Sequence, residues 1–503
     1  MSYSIGIDLG TSSIKITAIN EVGKIISQKK AGYNISRPKS NWAEQSPEVW
    51  KESLFSTLEK TSEELYKANN NEEIKIDSIG VSGQMHGLIA LNSKGETVYP
   101  AIIWADNRTN KEVEFIKNKL SITQLERLGN PVVNSFTAPK LLWLKNNRPK
   151  LWQNIDKFLL PKDYIVYLLT GKIISEKSDA SATLLFDIEN GNWDKDIIRT
   201  LNLTTNIFPE VVEPGSEVHF IKDDIYRKLN LSGKKPMVVT AGGDAPITAL
   251  AAGVTDTKKA CISLGTAGQI ITPIKNYTSQ PEAKLHTLNY SLPGTWFVMG
   301  AILAAGYNLS WWLIDICAKK EDYLDKQEKE LSKLPPGSNG LIYLPHIQGE
   351  RSPYNNPHAS GVLFGLKSEH SNLNIIKAMM EGVAFAIKAN FNIINQMDIQ
   401  ITELYLTGGG TKSKIWAQIF SDVLNHPVYI SKQDHDTSYG AAILAAEKKG
   451  SIDNVSKLID KNTKDYVKLT PNPENHKLYK ELYSIYHKLY IDNEEKMNKL
   501  SKL

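Results

Sequence analysis

Apolar and polar residues alternate on both sides of a short turn near the amino terminus. The apolar positions around the segment GTSS are Ile5, Ile7, Leu9, Ile14, Ile16 and Ala18. Period-two alternation around a turn that contains glycine predicts a β-hairpin. About half the chain later, ACISLGTAGQIITPI repeats the arrangement, with 264–266 matching 9–11 as Leu-Gly-Thr. The chain is therefore predicted to contain two similar halves.

Helical and strand patterns alternate between and after these hairpins. Ser46 as N-cap, Pro47 at the first helical position and a buried row that includes Trp50 predict a helix in SPEVWKESLFSTLEKTSEELYKA. IDSIGVSGQMHGLIALN predicts a strand, a loop and a strand. In the second half we predict a long helix over 374–394, a strand in ELYLTGGG and a helix in SKIWAQIFSDVL. Such alternation is typical of α/β domains.

The carboxy-terminal segment predicts a helix that packs back on one domain. Leu478, Leu482, Ile485 and Leu489 form one stripe, with a tyrosine stripe beside it. At 503 residues the chain is too long for one core. We place the junction within ITALAAGVTDTKK and predict domains at 1–248 and 249–503.

Composition narrows the function classes. Hydrophobic residues make up 41% and charged residues 23%, and no stretch approaches the roughly 18 apolar residues of a membrane span. The net charge of +4 is small, and the lysines are scattered rather than gathered in a stripe. We therefore expect neither a membrane protein nor a nucleic-acid-binding protein.

The cellular location is predicted from cysteine usage and the termini. Cys261 and Cys317 are the two cysteines, which favours a reducing compartment over a disulfide framework. The amino terminus lacks the pattern of a secretory signal. The last three residues read Ser-Lys-Leu, a peroxisomal address, although chance is the simpler explanation. The cytoplasm is the expected location.

The first hairpin has the composition of a phosphate site. Gly10 lets the backbone approach a polyphosphate. The hydroxyl and amide groups of Thr11, Ser12 and Ser13 can donate hydrogen bonds to the phosphate oxygens. Lys15 adds positive charge. Asp8, at the strand end, is a candidate Mg²⁺ ligand. The spacing is not that of a Walker loop.

The second hairpin and a glycine triplet form two further candidate sites. Gly265, Thr266 and Gly268 repeat the phosphate hairpin. Gly408–Gly410 follow a strand and precede a helix, and can provide a flat surface for adenosine or a tight turn. A dinucleotide fingerprint is excluded because Ser413 stands where its last glycine is required.

Polar residues near strand ends are candidates for substrate contact. In TAGGDAPITAL, Asp244 is either a helix cap or a general base that accepts a hydroxyl proton during phosphoryl transfer. Met85 and His86 lie in the loop after GVSG. Trp104, Asp106 and Arg108 in IIWADNRT have the composition of a sugar pocket or of a buried corner. They are the last candidates in the first half.

These features resemble the FGGY carbohydrate kinases, most closely the branch that phosphorylates D-xylulose. SFTAPKLLWLKNN and GVLFGLKSEHSNLNIIKAMME are similar to the two long signatures of that family. GQMHG, LLPKDYIVYLLTG, YLPHIQGERSPYNNP and LTGGGTKSKIW follow in the family's order. The resemblance implies an α/β fold of two domains, of the actin, hexokinase and sugar-kinase (ribonuclease H-like) superfamily. It further implies an active site in the cleft between the domains, where ATP transfers its γ-phosphate to a ketopentose.

The resemblance also implies roles for individual residues. Asp244 corresponds to the catalytic base and Asp8 to the aspartate near Mg²⁺ and the phosphates. Met85 and His86 correspond to sugar contacts, and we add Trp104 and Asp106 as candidates. Thr11 and Thr266 correspond to the two phosphate hairpins, and Gly306, Gly409 and Ser413 to nucleotide-contacting positions. Together with the residues indicated by the hairpin and glycine patterns, the predicted ATP contacts are Gly10, Thr11, Ser12, Ser13, Lys15, Gly265, Thr266, Gly306, Gly409, Gly410 and Ser413. A homodimer is the family expectation.

Two departures leave the substrate open. Ala245 follows the base where xylulose-phosphorylating members carry a polar residue, and WADNRT is closer to gluconokinase-like members. Another ketose, a polyol or gluconate is the alternative acceptor, and gluconate calls for a cation, for which Arg108 is the candidate. An actin- or chaperone-like ATPase switch is the alternative of another class.

Overall fold

The computed structural model describes residues 2–279, 284–320, 322–433, 435–452, 454–456, 458 and 466–503. The elements of the first half are, in chain order, β1 (Ser2–Leu9), β2 (Ser13–Asn20), β3 (Ile25–Gly32), β4 (Glu44–Gln45), α1 (Pro47–Ala68), β5 (Lys75–Gly83), β6 (Ile89–Leu91), β7 (Ala101–Ile102), α2 (Asn110–Lys119), α3 (Ile122–Arg127), α4 (Thr137–Asn147), α5 (Pro149–Trp152), β8 (Lys157–Leu159), α6 (Pro161–Thr170), β9 (Ile174–Glu176), α7 (Lys177–Ala180), a 3-10 turn (Ser181–Thr183), β10 (Phe186–Asp187), β11 (Asn192–Trp193), α8 (Lys195–Thr200), a 3-10 turn (Thr205–Ile207), β12 (Glu210–Val212), β13 (Ser216–Phe220), α9 (Asp223–Lys228), β14 (Met237–Gly243) and α10 (Asp244–Ala252).

The second half begins after a short turn that follows α10. Its elements are β15 (Lys259–Leu264), β16 (Gly268–Ile274), β17 (His286–Asn289), β18 (Trp296–Ile302), α11 (Gly306–Ser310), a π-helical turn (Trp311–Ile316), α12 (Tyr323–Leu331), β19 (Ile342–Leu344), β20 (Val362–Phe364), α13 (Asn372–Asn395), β21 (Glu403–Thr407), a 3-10 turn (Gly409–Lys412), α14 (Lys414–Leu424), β22 (Val428–Ser431), α15 (Thr437–Lys448), β23 (Tyr466–Leu469) and α16 (Pro473–Leu500).

Two large sheets share one topology over six strands, and the second sheet has a seventh strand at its edge. The first has the strand order β13-β14-β5-β1-β2-β3, and the second β17-β18-β16-β15-β21-β22-β23. In each, a hairpin strand pairs antiparallel with its partner and parallel with the strand on its other side: β1 with β2 and β5, and β15 with β16 and β21. The two predicted hairpins and the predicted repeat are therefore confirmed, and the fold is mixed α/β.

One helix of the second half packs on the sheet of the first half. Helix α15 belongs to the second half but packs against β1 and β5 of the first sheet. Two glycines on these strands make this possible: a Cβ at Gly6 would lie 1.8 Å from the Ser438 carbonyl oxygen, and one at Gly80 would lie 2.0 Å from that of Ala441. Helix α10 packs on α15 and touches β15 and β16.

The structure confirms two local expectations and adds detail to each. Ser46 occupies the N-cap of α1, but its side chain makes no capping hydrogen bond. Helix α16 does pack on the second half, yet the tyrosine stripe is its buried side, with Tyr479, Tyr486 and Tyr490 at most 2% exposed. Ile485, on the leucine stripe, is 48% exposed. Aromatic rings supply more apolar area than leucine, which favours the tyrosine face.

A third packed region lies between β5 and β14 in sequence. Its buried side chains come mainly from α2, α4, β8 and α8, and include Phe136, Leu141 and Phe158. This region brings the segment of Met85 and His86 and the segment of Trp104 beside the first sheet. No helix in the described ranges is long and apolar enough to cross a bilayer.

Candidate active site

Three parallel strands end at one edge of the first sheet. β1 and β14 pair on opposite sides of β5, and Asp8 and Gly242 both lie opposite Ser82. Adjacent strands are about 4.8 Å apart, so the chain after β14 lies roughly two strand spacings from Asp8. Asp244 begins α10 at this edge. The two carboxyl groups predicted to carry the chemistry therefore share one end of the sheet.

Asp244 is held at the first turn of α10 and is not its N-cap. The N-cap position is Gly243, and the amides of Ala245 and Asp244 itself donate hydrogen bonds to the carboxylate. Burial raises the pKa of Asp244 to about 7, against the lowering effect of these two bonds. A carboxyl group with a pKa near neutrality can accept a proton at pH 7 and above.

Asp8 shares this environment. Burial raises the pKa of Asp8 well above its usual value, and the charges of Asp244 and Asp436 raise it further. Its Oδ1 atom is buried and has no hydrogen-bond partner within the described residues. A buried carboxylate oxygen without a partner fits a metal ligand, although these residues contain no cluster of three or more His, Cys, Asp or Glu side chains that could hold an ion. Mg²⁺ is commonly held by one or two carboxylates plus water and phosphates.

Met85 lies beside the backbone that leads to Asp244, and His86 follows it in the chain. A Cβ at Gly243 would lie 2.7 Å from the Met85 sulfur, so Met85 packs on the backbone that precedes Asp244. His86 adopts the left-handed backbone region with φ of 67°. Its Nδ1 lies 2.9 Å from the Ala182 carbonyl oxygen, and burial lowers its pKa to about 3. The imidazole is therefore neutral at pH 7.

The first hairpin is tied to the predicted sugar residues. Trp104 Nε1 donates a hydrogen bond of 2.8 Å to Thr11 Oγ1. The Gly10 amide donates to the Ser13 carbonyl oxygen at 3.0 Å, which closes the turn. Lys15 forms an ion pair with Asp436, the N-cap residue of α15. The charge predicted for phosphate binding thus also links the two halves of the chain.

Asp106 and Arg108 require a correction. Asp106 is fully buried, and its carboxylate accepts hydrogen bonds from the Ala43 amide and from Arg108 Nε and Nη2. Arg108 also bonds Glu44 at 2.7 Å, and its guanidinium lies 3.6 Å from the Trp42 ring centroid. Neither side chain has an accessible polar atom for a sugar. They stabilise the buried corner, which leaves Trp104 as the candidate contact from this segment.

The second hairpin forms a glycine-lined corner with α11 and the end of β21. The Gly306 amide donates to the Gly265 carbonyl oxygen at 2.9 Å, and a Cβ at Gly306 would lie 2.7 Å from that oxygen. The Ala305 and Tyr307 amides both donate to the Thr266 carbonyl oxygen. Because nothing larger than glycine fits at 306, the hairpin and the start of α11 make direct backbone contact.

The glycine triplet meets the base of the same hairpin. Gly408 has φ of 90°, and a Cβ there would lie 2.6 Å from the Leu264 carbonyl oxygen. A Cβ at Gly410 would lie 2.8 Å from the Leu264 side chain, whereas a Cβ at Gly409 would meet no atom within 4 Å. The Ser413 hydroxyl caps α14 by accepting from the Trp416 amide, and donates to Glu328. Gly265 and Gly306 are therefore in direct backbone contact, and Gly408, the neighbour of Gly409, packs on the residue before Gly265.

Sequence reasoning missed two side chains of the second half. The Phe136 ring is 4.6 Å from that of His86 and 5.8 Å from that of His286. The Arg351 guanidinium lowers the pKa of His86 and of His286, in each case after the larger effect of burial. The segment LHTLNY contains no pattern that marks His286 as a site residue. Arg351 lies in YLPHIQGERSPYNNP, which supports the family resemblance but does not by itself identify Arg351 as a site residue.

The tautomer of His286 follows from its neighbours. Asn130 Nδ2 donates to the Leu128 and Thr287 carbonyl oxygens, so its Oδ1 is the atom that faces His286 Nδ1 at 3.1 Å. Nδ1 therefore carries the proton, and the buried Nε2 is left as an acceptor without a partner among the described residues. Such an atom is suited to receive a substrate hydroxyl.

The site combines a carboxyl group of pKa near 7, a second carboxyl group with an unsatisfied oxygen, and two glycine-rich hairpins. Comparison with known proteins assigns this arrangement to a family. Residues 3–251 match the N-terminal domain of the FGGY family of carbohydrate kinases, and residues 260–447 match its C-terminal domain.

Full-length relatives agree with this assignment. A xylulose kinase of Staphylococcus xylosus is 33% identical over 492 residues, covering 97% of this chain and 100% of the relative. A gluconokinase of Bacillus subtilis is 28% identical over 96% of this chain and 95% of its own. The crystal structure of a xyloylose kinase from Brucella ovis superposes with a TM-score of 0.89 at 30% identity, covering 98% of this chain and 99% of that one. The chain belongs to the FGGY family of carbohydrate kinases.

Proposed function

We propose that the protein transfers the γ-phosphoryl group of ATP to D-xylulose and forms D-xylulose 5-phosphate. The observation that carries this proposal is Asp244, whose carboxyl group lies at the carboxyl edge of the first sheet with a pKa of about 7 and Met85 at its side. The xylulose kinase relatives support the choice of acceptor. The acceptor would lie between Met85 and His86 on one side and His286 on the other.

Asp244 would act on the acceptor hydroxyl. As the hydroxyl oxygen forms its bond to the γ-phosphorus, the bond from that phosphorus to the ADP oxygen breaks, and the hydroxyl proton passes to the Asp244 carboxylate. Sugar hydroxyls are far weaker acids than carboxylic acids, so the transfer occurs late, once the O–P bond has begun to form. Orientation is the larger part of the task.

The two hairpins would hold the nucleotide. In this proposal Thr11 and Ser12 on one hairpin and Thr266 on the other grip the phosphates, while Gly306 and Gly409 face the adenosine. Asp8 would hold Mg²⁺ through the oxygen that lacks a partner. The ion, when bound, neutralises charge on the phosphates. We further propose that the reaction takes place in a cleft between domains 1–248 and 249–503. Closure of such a cleft would exclude water from the reacting groups.

Gluconate is the second candidate acceptor. Arg108 cannot serve as its cation, because Asp106 and Glu44 occupy its guanidinium. Arg351 is the candidate instead: its guanidinium acts electrostatically on His86 and His286 and, within the described residues, makes no hydrogen bond or ion pair with another side chain. A carboxylate at one end of the acceptor would satisfy it, as would the phosphate of a product.

A coupled assay of ADP release tests the function. Mg-ATP is supplied with D-xylulose, L-xylulose, D-ribulose, glycerol, gluconate or no acceptor, for the native protein and for Asp244→Ala. We expect turnover on D-xylulose and a fall in kcat of roughly 10² to 10⁴ in the variant. Preference for gluconate that is lost in Arg351→Met would select the second candidate. Equal ADP release with and without every sugar would instead indicate an ATPase switch.

We also propose a cytoplasmic location, a homodimeric state and no nucleic-acid partner. Both cysteines are free, Cys261 being buried, as expected in a reducing compartment. The location follows from the sequence argument, and the dimer from family resemblance alone. Light scattering of the purified protein measures the oligomeric state directly.

A further inference from the structure

Two glycines precede the proposed base. Gly242 has φ of 155° and Gly243 is the N-cap of α10, where no side chain caps the helix. A Cβ at Gly242 would lie 3.0 Å from Ser178 Oγ and one at Gly243 would lie 2.7 Å from the Met85 sulfur, so neither position has free space for a larger side chain. Glycine leaves the backbone with more freedom than any other residue. The orientation of the Asp244 side chain therefore depends on contacts from other segments that hold this turn in place.

Ser178 supplies such a contact. The Gly243 amide donates a hydrogen bond of 3.0 Å to Ser178 Oγ, and both groups are buried. The same hydroxyl donates to Glu176 Oε1 at 2.9 Å. One hydroxyl thus accepts a hydrogen bond from the peptide directly before Asp244 and donates one to a carboxylate.

Glu176 is itself anchored. Its carboxylate accepts from the Ser178 amide at 2.6 Å and the Asp179 amide at 2.9 Å, which caps α7. Lys162 Nζ lies 3.4 Å from Glu176 Oε1 and 3.8 Å from Asp179 Oδ2, and pairs with Asp163. All four charged side chains are fully buried. Burial of this kind makes the anchor hard to displace, because any break leaves an unpaired charge.

The 3-10 turn that follows α7 contacts the second half. Ser181 Oγ donates to the Ser178 carbonyl oxygen at 2.8 Å and accepts from the Asn289 amide on β17 at 3.2 Å. β17 pairs with β18, which pairs with β16 of the second phosphate hairpin. The segment that contacts the base is therefore connected through backbone pairing to the strand that carries Gly268.

We propose that Ser178 is a positioning residue: its hydroxyl, anchored by Glu176, fixes the Gly242–Gly243 turn and thereby the direction of the Asp244 carboxylate. The kinetic part of this inference rests on the proposed function. Ser178 does not touch the reacting atoms, so its loss changes the alignment of the base rather than the binding of ATP or sugar. Losing one buried hydrogen bond of ordinary strength corresponds to about a tenfold change.

Three variants and two measurements test this role. Ser178→Ala is expected to lower kcat about tenfold with both KM values within twofold, and Ser178→Thr, which keeps the hydroxyl, to restore most of kcat. Ser62→Ala is the matched control: Ser62 is also buried and donates one hydrogen bond, to the Leu229 carbonyl oxygen on the far side of the sheet. Its kcat should equal that of the native protein.

Hydrogen exchange at the Gly243 amide provides a readout that needs no substrate. Exchange in the peptide over 237–250 should be about tenfold faster in Ser178→Ala and unchanged in Ser62→Ala. A Ser178→Ala protein with native kcat and native exchange would overturn the inference, and so would Ser178→Thr as slow as Ser178→Ala. If the native protein phosphorylates no acceptor, the proposed function fails, and the exchange result still decides whether Ser178 fixes the turn.

Discussion

Asp244 is proposed to work at a cost in stability, which Asp244→Asn would reveal. Asparagine has nearly the same shape and retains one oxygen that can accept from the Ala245 amide, but it carries no charge. In the folded protein burial raises the pKa of Asp244 from 3.8 to about 7. An unfolded chain has no such burial. Ionisation of Asp244 therefore costs more free energy in the folded protein than in the unfolded chain, and Asp244→Asn removes that difference.

The sign and size follow from linkage. Between pH 4 and pH 7 the folded protein keeps a proton that the unfolded chain has released, so stability falls as the pH rises through this window and is constant above it. A pKa difference of about 3 corresponds to about 4 kcal/mol. Asp244 is only partly buried, and water screens part of this effect. We expect Asp244→Asn to raise the free energy of unfolding by about 2 to 4 kcal/mol at pH 8.

Asp8 adds to the same effect. The charge of Asp244 contributes to the raised pKa of Asp8, after burial. Without that charge Asp8 ionises at lower pH, and the repulsion between the two carboxylates disappears. The variant should thus be more stable yet nearly inactive, with kcat reduced by roughly 10² to 10⁴. Opposite changes in stability and activity are characteristic of a functional group held in an unfavourable environment.

Thermal unfolding of the two proteins at pH 4, 5, 6, 7 and 8, without nucleotide, is the assay. The Tm difference should be near zero at pH 4 and grow to roughly 2 to 4 °C at pH 8 for a chain of this length. Asp492→Asn is the control, because Asp492 is exposed on α16 and its substitution should change Tm little at any pH. A Tm difference that is constant with pH, or a variant less stable at pH 8, would refute the reasoning.

Three further substitutions test separate parts of the structure. In a denaturant titration, Gly6→Ala should destabilise the protein by about 3 kcal/mol or more, because its Cβ would overlap the backbone of α15. Gly32→Ala is the control and should cost far less, because its Cβ meets only one atom, at 3.8 Å. Gly409→Ala should leave Tm unchanged and raise KM for ATP several-fold, since its Cβ enters open space; unchanged KM would remove Gly409 from the nucleotide site. Arg108→Met should cost about 3 to 5 kcal/mol by leaving Asp106 unpaired, with the relative rates on different sugars preserved. A change in sugar preference would contradict the structural role given to Arg108.

Local patterns predicted the elements well. Period-two alternation located β1, β2, β15 and β16, and the helix predicted over 374–394 is observed as Asn372–Asn395. The Leu-Gly-Thr repeat correctly indicated two halves with one topology. These features depend on contacts between near neighbours in sequence, which the order of residues specifies directly.

Side-chain availability was not predictable in this way. The sequence context of Asp106 is compatible with a sugar contact, but the Ala43 amide and Arg108 donate hydrogen bonds to its carboxylate. The tyrosine stripe of α16 proved to be the fully buried one, whereas the leucine stripe beside it is partly buried at Leu482 and Leu489 and exposed at Ile485. The Ala43 amide is remote from Asp106 in sequence, and the two stripes of α16 lie side by side on one helix, so composition cannot rank the competing partners.

Residue order alone thus established the two α/β halves, the hairpin turns and the family resemblance that singles out Asp244. Only the tertiary structure decided that His286 and Arg351 face the segment of His86, and that Ser178 holds the backbone before Asp244. The reason is physical: hairpins and helices are stabilised by contacts a few residues apart, whereas a site is formed by strand ends that meet only after the sheet has assembled. The pKa of Asp244 likewise depends on burial, which no local segment possesses.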